Sequence, residues 1–281
     1  MLEKYYQYTF ILPENTDRET IITLLSDYDF EGFLETDNGF VAYIPINKDN
    51  QEWLNILEDL ENITFSKEII EPKNWNEEWE KNYDVAVIND ECEIYAPFHT
   101  PKPNILYPIF IEPKMSFGTG HHPTTFMMCN LLFEFQNEIT NKDVIDVGCG
   151  TGILAILSKK LGAHQIFTID NDPICIENTL ENIQKNIPAN QHQNFVVLTA
   201  DVHQLIQQYP DKKFDVIIAN IQKNVILNDL PAYKTILNKN GLLFLSGLLQ
   251  EYEEEIIDAA KPLQHLCTKK KNEWIAMAFR N

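Results

Sequence analysis

Val144-Ile145-Asp146-Val147-Gly148-Cys149-Gly150-Thr151-Gly152-Ile153-Leu154-Ala155 decides the fold. A short apolar run empties into a turn with glycine at every second position, and a helical pattern begins at once. That is the first strand–turn–helix unit of an open α/β sheet, in which ligands bind past the carboxyl ends of the strands. The glycines let the backbone turn sharply and let a ligand lie against it. Working outward to the C-terminus, apolar runs with few polar breaks recur at 165–169, 195–199, 214–219 and 242–245. Strands buried on both faces read this way. Helical stretches at 153–161 and 173–185 separate the first of them, and Pro173 stands where a helix tolerates proline, at its start. The pattern predicts a doubly wound parallel sheet, Rossmann-like in class. Past Gln264 two further strand-like pieces follow, the last at 274–279.

Toward the N-terminus the pattern changes. Residues 5–12 read as a strand, and Thr16-x-x-Glu19 is a capping box followed by Ile21, Leu24, Leu25 and Tyr28 at helical spacing. Two strands, 33–36 and 40–44, flank the tight turn Asp37-Asn38-Gly39. Trp53, Leu54, Leu57 and Leu60 mark a second helix, and 63–70 a last strand. The order βαββαβ predicts a small ferredoxin-like α+β domain. Pro72 favours a boundary behind it. Residues 74–83 read as a short linker helix carrying Trp75 and Trp79 on one face, and 86–113 as strand-like pieces broken by prolines. The division is therefore 1–70 for the small domain, 71–85 for the linker and 86–281 for the large one.

Twenty-two residues after Gly148, Asp170 ends the next predicted strand, where a carboxylate can accept hydrogen bonds from both hydroxyls of a ribose. Two cofactor classes fit. Gly150-x-Gly152-x-x-Ala155 with an acid twenty residues on matches a loose dinucleotide fingerprint. Asp146-x-Gly148-x-Gly150-x-Gly152 is the tighter match, and it resembles motif I of the S-adenosylmethionine-dependent methyltransferases. Charge discriminates between them. A pyrophosphate wants a bare helix N-terminus. Adenosylmethionine has a sulfonium, an ammonium and no phosphate, and a carboxylate such as Asp146 near the loop suits it.

Two further segments carry chemistry. In Phe214-Asp215-Val216-Ile217-Ile218-Ala219-Asn220-Ile221 a polar residue ends the fourth buried strand. The amide of Asn220 there can accept a hydrogen bond from an incoming amine, or cap the next helix. Met115-Ser116-Phe117-Gly118-Thr119-Gly120-His121-His122-Pro123-Thr124-Thr125 is a small-residue loop running into a helix, able to fold over a bound cofactor. Adjacent histidines point in different directions, and no Cys or carboxylate completes a ligand set at metal-site spacing, so no metal is expected.

Together the Phe-Gly-Thr-Gly-x-His-Pro-Thr-Thr loop, the Asp-x-Gly-Cys-Gly-x-Gly-Ile-Leu-Ala turn and the Ala-Asn-Ile strand end resemble the ribosomal protein L11 methyltransferases over nearly the whole chain. The resemblance implies N-methylation of ribosomal protein L11 at its N-terminal α-amine and at lysine side chains, with S-adenosylmethionine as donor and the N-terminal domain recognising the substrate. It carries cofactor contacts to Thr125, Gly148, Asp170 and Asn220, with Asn220 also catalytic. Phe117, Gly118 and Thr119 of the loop and Asp146 and Gly150 of the turn complete the cofactor-binding candidates. Gln222-Lys223-Asn224 stands where the family usually continues with small apolar residues.

Composition sets the outer bounds. The 281 residues carry 22 basic and 42 acidic side chains, a net charge of −20. A general nucleic-acid binder needs a basic surface to displace counterions, and an anionic membrane repels this chain. Neutral small molecules, cations and basic proteins remain as partners. Five scattered cysteines without a CxxC point to a reduced, cytoplasmic setting. No signal peptide is read at the N-terminus, and no apolar stretch approaches the ~20 residues of a membrane span.

Overall fold

Alternation in β1 (Tyr5–Ile11) sorts its side chains onto two faces, and Tyr6, Tyr8 and Phe10 share one of them. The computed structural model describes residues 4–13, 16, 18–55, 63–70, 80, 83–114 and 116–281. They fall into two units, Met1–Tyr83 and Asp84–Asn281. In the first, β1 is followed by α1 (Arg18–Ser26), β2 (Gly32–Thr36), β3 (Gly39–Pro45) and β4 (Thr64–Ile70). The sheet order is β2-β3-β1-β4, antiparallel throughout. This is the ferredoxin-like strand order. Tyr8 and Phe10 pair with Ala42 and Phe40 of β3, and α1 closes the same face with Ile21 and Leu25. The Asp49 carboxylate is buried beside them. It accepts hydrogen bonds from Tyr8 Oη (2.6 Å), Trp53 Nε1 (3.0 Å) and Lys67 Nζ (2.8 Å), which offset its desolvation. Of the helix expected over 53–60, residues 56–60 lie outside the described residues, and of the linker helix expected over 74–83, residues 74–79, 81 and 82 do.

The second unit opens with a three-stranded sheet, β5 (Ala86–Asn89), β6 (Cys92–Tyr95) and β7 (Tyr107–Phe110), where the sequence showed only broken pieces. Then come α2 (Pro123–Glu134), β8 (Val144–Val147), α3 (Ile153–Lys160), β9 (Ile166–Asp170), α4 (Pro173–Asn186) and β10 (Phe195–Thr199). After these follow α5 (Val202–Gln208), β11 (Phe214–Asn220), α6 (Lys223–Ile236), β12 (Leu237–Leu249), α7 (Glu253–Ala260), β13 (Gln264–Lys271) and β14 (Trp274–Arg280). The main sheet runs β10-β9-β8-β11-β12-β14-β13. Its first five strands are parallel, while β14 and β13 run antiparallel to their neighbours.

Successive residues of the central strands enter different cores. Val144 and Val216 join one face, and Ile145 and Ile217 the other. Both faces are covered by helices, which explains the unbroken apolar runs. Each such side chain contributes about 1.5–3 kcal/mol on burial. The chain winds from β8 outward to β10, then returns to β11 on the other side of β8. The crevice at that reversal, past the carboxyl ends of β8 and β11, is where this architecture binds ligands.

Candidate active site

The turn after β8 is shaped by what it must touch. Gly150 has φ +54°, and a Cβ there would lie 2.3 Å from the carbonyl oxygen of Phe117. Gly148 has φ +68°, and its Cβ would lie 2.2 Å from Ile221 Cγ2. Neither position admits a side chain. The close approach is used. Thr151 N–H donates to Phe117 O (3.0 Å), and the Thr151 hydroxyl donates to Gly118 O (2.6 Å). The Phe117–Gly118 loop is therefore fastened onto the glycine turn. Its approach is fixed from the other side by α4. Asn186 bridges both backbone groups of Phe110, while Asn182 accepts from Glu112 N–H and donates to Thr151 O.

Asp170, at the end of β9, accepts from Gly150 N–H through Oδ2 and from Asp172 N–H through Oδ1, both at 3.0 Å. Each oxygen keeps a second acceptor position for a ligand hydroxyl. A cavity of about 600 Å³ opens over these strand ends. It begins at Ala200–Val202 past β10, crosses Asp170, Gly148 and Asn220, and ends at Gly247, near the end of β12, and Trp274, the first residue of β14. At that far end the His122 ring stands edge-on between Phe117 (5.1 Å) and Trp274 (4.9 Å). His122 caps α2 by accepting the Thr124 N–H on Nδ1, so in its neutral form the proton sits on Nε2. Burial lowers the basicity of this imidazole, against the opposing pull of Glu273.

Of the residues singled out by sequence, Phe117, Gly148, Gly150, Asp170 and Asn220 line the cavity. Four do not. Asp146 was expected beside the cofactor's cations. It lies beneath the turn, fully buried, where Oδ2 accepts the Ala155 N–H at 3.2 Å. Burial pushes its carboxyl up to about 7, and the nearby Asp170 adds to this. Thr125 was expected at the cofactor, but the wall residue is Thr124, because one step along a helix turns the side chain by about 100°. Thr125 Oγ1 is instead buried with no hydrogen-bond partner. Gly118 serves through its backbone, and Thr119 Oγ1 faces His121 Nδ1 at 3.2 Å.

The sequence reading did not find His122, Gln222, Val225, Asp229 or Trp274 as lining residues. The Gln222-Lys223-Asn224 departure was the only local hint among them. Trp274 is carried to the site by the antiparallel pairing of β14 with β12.

The lining decides between the two cofactor classes. It holds Asp170, Asp201 and Asp229 and, among the described residues, no Lys or Arg. That suits a cationic ligand without phosphate better than a pyrophosphate. Asn220 Oδ1 is buried there with no partner, an acceptor waiting for a donor. The acids of the lining lie toward the β9 and β10 end, and among the described residues the aromatic end beyond Asn220 has none in its wall, although Glu273 acts on His122 from nearby.

Residues 14–281 match the family model described as "Ribosomal protein L11 methyltransferase". A protein of that name from Bacteroides thetaiotaomicron is 36% identical, over 98% of this chain and 99% of its own length. One from Porphyromonas gingivalis is 37% identical, over 98% and 97%. Among solved structures, a ribosomal protein L11 methylase from Lactobacillus delbrueckii subsp. bulgaricus superposes with a TM-score of 0.61 at 26% identity, covering 70% of this chain and 98% of that one.

Proposed function

Since the chain belongs to the ribosomal protein L11 methyltransferase family, we propose that it methylates the N-terminal α-amine and lysine side chains of ribosomal protein L11, using S-adenosylmethionine. The observation that carries the choice of amines is the unpartnered, buried Asn220 Oδ1 in the cavity wall. An acceptor at that place takes one N–H of a neutral amine and turns its lone pair toward the donor.

When bound, the cofactor supplies an electrophilic methyl on its sulfonium; everything else falls to the chain. The glycine turn at Gly148 and Gly150 gives the cofactor's amino-acid part a close backbone, and Asp170 holds the ribose. Positioning is the main catalytic term for such a displacement.

The substrate must lose a proton first. At pH 7 this costs about 1 kcal/mol for an α-amine of pKa ~7.7–8.0 and about 4.6 kcal/mol for a lysine of pKa ~10.4. The end formed by Phe117, His122 and Trp274 strips water from an incoming ammonium, which favours its neutral form. His122 offers an N–H there rather than a base, so the proton leaves to water as the amine docks. The Met1–Tyr83 unit recognises the substrate, which frees the pocket to accept amines of different sequence context.

The net charge of −20 draws in a basic, RNA-binding protein over long range. Raising salt from about 0.05 to about 0.5 M shortens the range of that attraction from about 14 to about 4 Å. We expect KM for L11 to rise several-fold over this range with kcat nearly constant. A KM independent of salt would remove steering from the account. The decisive assay is mass spectrometry of L11 incubated with the protein and isotopically labelled S-adenosylmethionine. Label on lysines and the N-terminal residue is expected; label elsewhere, or none, defeats the amine assignment.

A further inference from the structure

We propose that Gln222 is a specificity-determining residue that sets how many methyl groups each amine receives, by accepting the second N–H of an unmethylated amine. The proposal rests on the amine reading of Asn220 and deepens it.

Gln222 lies two residues past Asn220, and both line the cavity. It is the N-cap of α6, yet its side chain makes no capping hydrogen bond. Its backbone carbonyl starts the helix instead, accepting from Val225 N–H and Ile226 N–H, both at 3.1 Å. The side chain is exposed at the cavity mouth, and among the described residues no hydrogen bond engages its amide.

Its neighbour shows which end of the cavity it serves. The Lys223 ammonium stands over the Tyr252 ring at 3.9 Å and donates to Glu255 Oε2 at 3.0 Å. Both partners follow β12 in the chain, so the first turn of α6 leans toward β12, on the aromatic side of Asn220. The other polar side chains of the wall there are engaged. His122 Nδ1 and Thr124 Oγ1 face each other at 2.7 Å, and His122 Nε2 presents a proton. The Trp274 indole N–H donates to Glu273 Oε1 at 3.0 Å. Among the described residues, Asn220 and Gln222 therefore hold the side-chain carbonyls at this end that have no partner.

A neutral primary amine has two N–H groups and one lone pair. The lone pair forms the new C–N bond as the methyl–sulfur bond breaks, its electrons staying on sulfur, and the product sheds a proton to water before the next round. With the lone pair aimed at the methyl, one N–H meets Asn220 Oδ1 and the other meets Gln222 Oε1. Each methylation removes an N–H. A monomethyl amine keeps one for the two acceptors, and a dimethyl amine keeps none. A hydrogen bond between neutral partners contributes a factor of about two- to tenfold, so each successive transfer should be slower by that factor.

The test follows the mono-, di- and trimethyl forms of each labelled amine of L11 over time by mass spectrometry, and extracts the successive rate constants. In the wild-type chain the first transfer should be about two- to tenfold faster than the second. Gln222→Met keeps the length of the side chain and removes the carbonyl. Because the native side chain is exposed and caps nothing, this variant should fold and bind S-adenosylhomocysteine within a few-fold of wild type. Its first transfer should slow about two- to tenfold while the second holds, so that the ratio of the two collapses toward one. A ratio unchanged from wild type, whether all transfers slow together or none does, would leave the second N–H to a backbone carbonyl or to water and overturn the proposal. So would a wild-type ratio near one, a result that needs no variant to fold. If wild type puts no label on amines at all, the amine reading fails first; amines labelled at equal successive rates sink only the role of Gln222.

Discussion

Asn220→Ala is expected to cut kcat for L11 methylation by about 10²–10³, with S-adenosylhomocysteine affinity held within a few-fold. Among the described residues, the side chain supplies the one buried acceptor in the wall that lacks a partner. Its loss frees the amine to point its lone pair anywhere, and misplacement of a reacting atom by about 1 Å is enough for a hundredfold loss. The backbone of β11 is held independently, since Ile221 N–H donates to Ser246 O at 3.2 Å, so the cavity keeps its shape. An unsatisfied buried acceptor costs about 1–3 kcal/mol, so the alanine variant should be no less stable than wild type without ligand. Asn220→Asp sharpens the test. It keeps the acceptor but adds a negative charge beside the amine, which favours the ammonium form. Activity should survive in part, with its pH profile moved upward. Unchanged turnover in the alanine variant would remove Asn220 from the chemistry.

What the sequence revealed, and what it withheld, follows from how local each signal is. The strand at 144–147 could be bounded because burial on both faces leaves an uninterrupted apolar run, and the edge strand at 195–199 is as apolar although it is only half-buried. The glycine turn could be placed because its conformation excludes side chains, as the 2.3 Å approach at Gly150 shows. Thr124 and Thr125 could not be told apart. Their facing depends on the phase of α2, which the His122 cap sets. The depth of Asp146 was equally hidden. It sits on the β8 face shared with Val144, under α3, and no local pattern separates an acid beneath a ligand from one beside it. His122, Asp229 and Trp274 come from three distant elements that only the sheet order gathers. His122 adjoins the Phe117–Thr125 loop that the sequence singled out, but the immediate neighbours of Asp229 and Trp274 carry no trace of the site.

The misplaced acid yields the second large effect. Burial raises the Asp146 carboxyl from its ordinary value to about 7 in the folded chain, whereas an unfolded aspartate titrates near ~3.9. Below both values the group is protonated in either state and contributes nothing to the pH dependence. As pH rises past ~3.9 the unfolded chain sheds the proton while the folded chain keeps it, so stability falls with pH until about 7 and then levels. The gap between the two values amounts to roughly 4 kcal/mol, of which roughly 3 kcal/mol falls between pH 5 and pH 8. Asp146→Asn retains an oxygen for the Ala155 N–H and cannot ionise. Denaturant unfolding of the unliganded protein should therefore show the variant gaining about 3 kcal/mol on wild type as pH moves from 5 to 8. The comparison cancels the acids that are remote from Asp146, which titrate alike in both chains. Parallel profiles would mean that the carboxyl is already ionised in the folded state and that solvent or a counter-charge reaches it. A steep divergence would mean that the glycine turn rests on a neutral acid, kept in place for its hydrogen bond to Ala155 rather than for its charge.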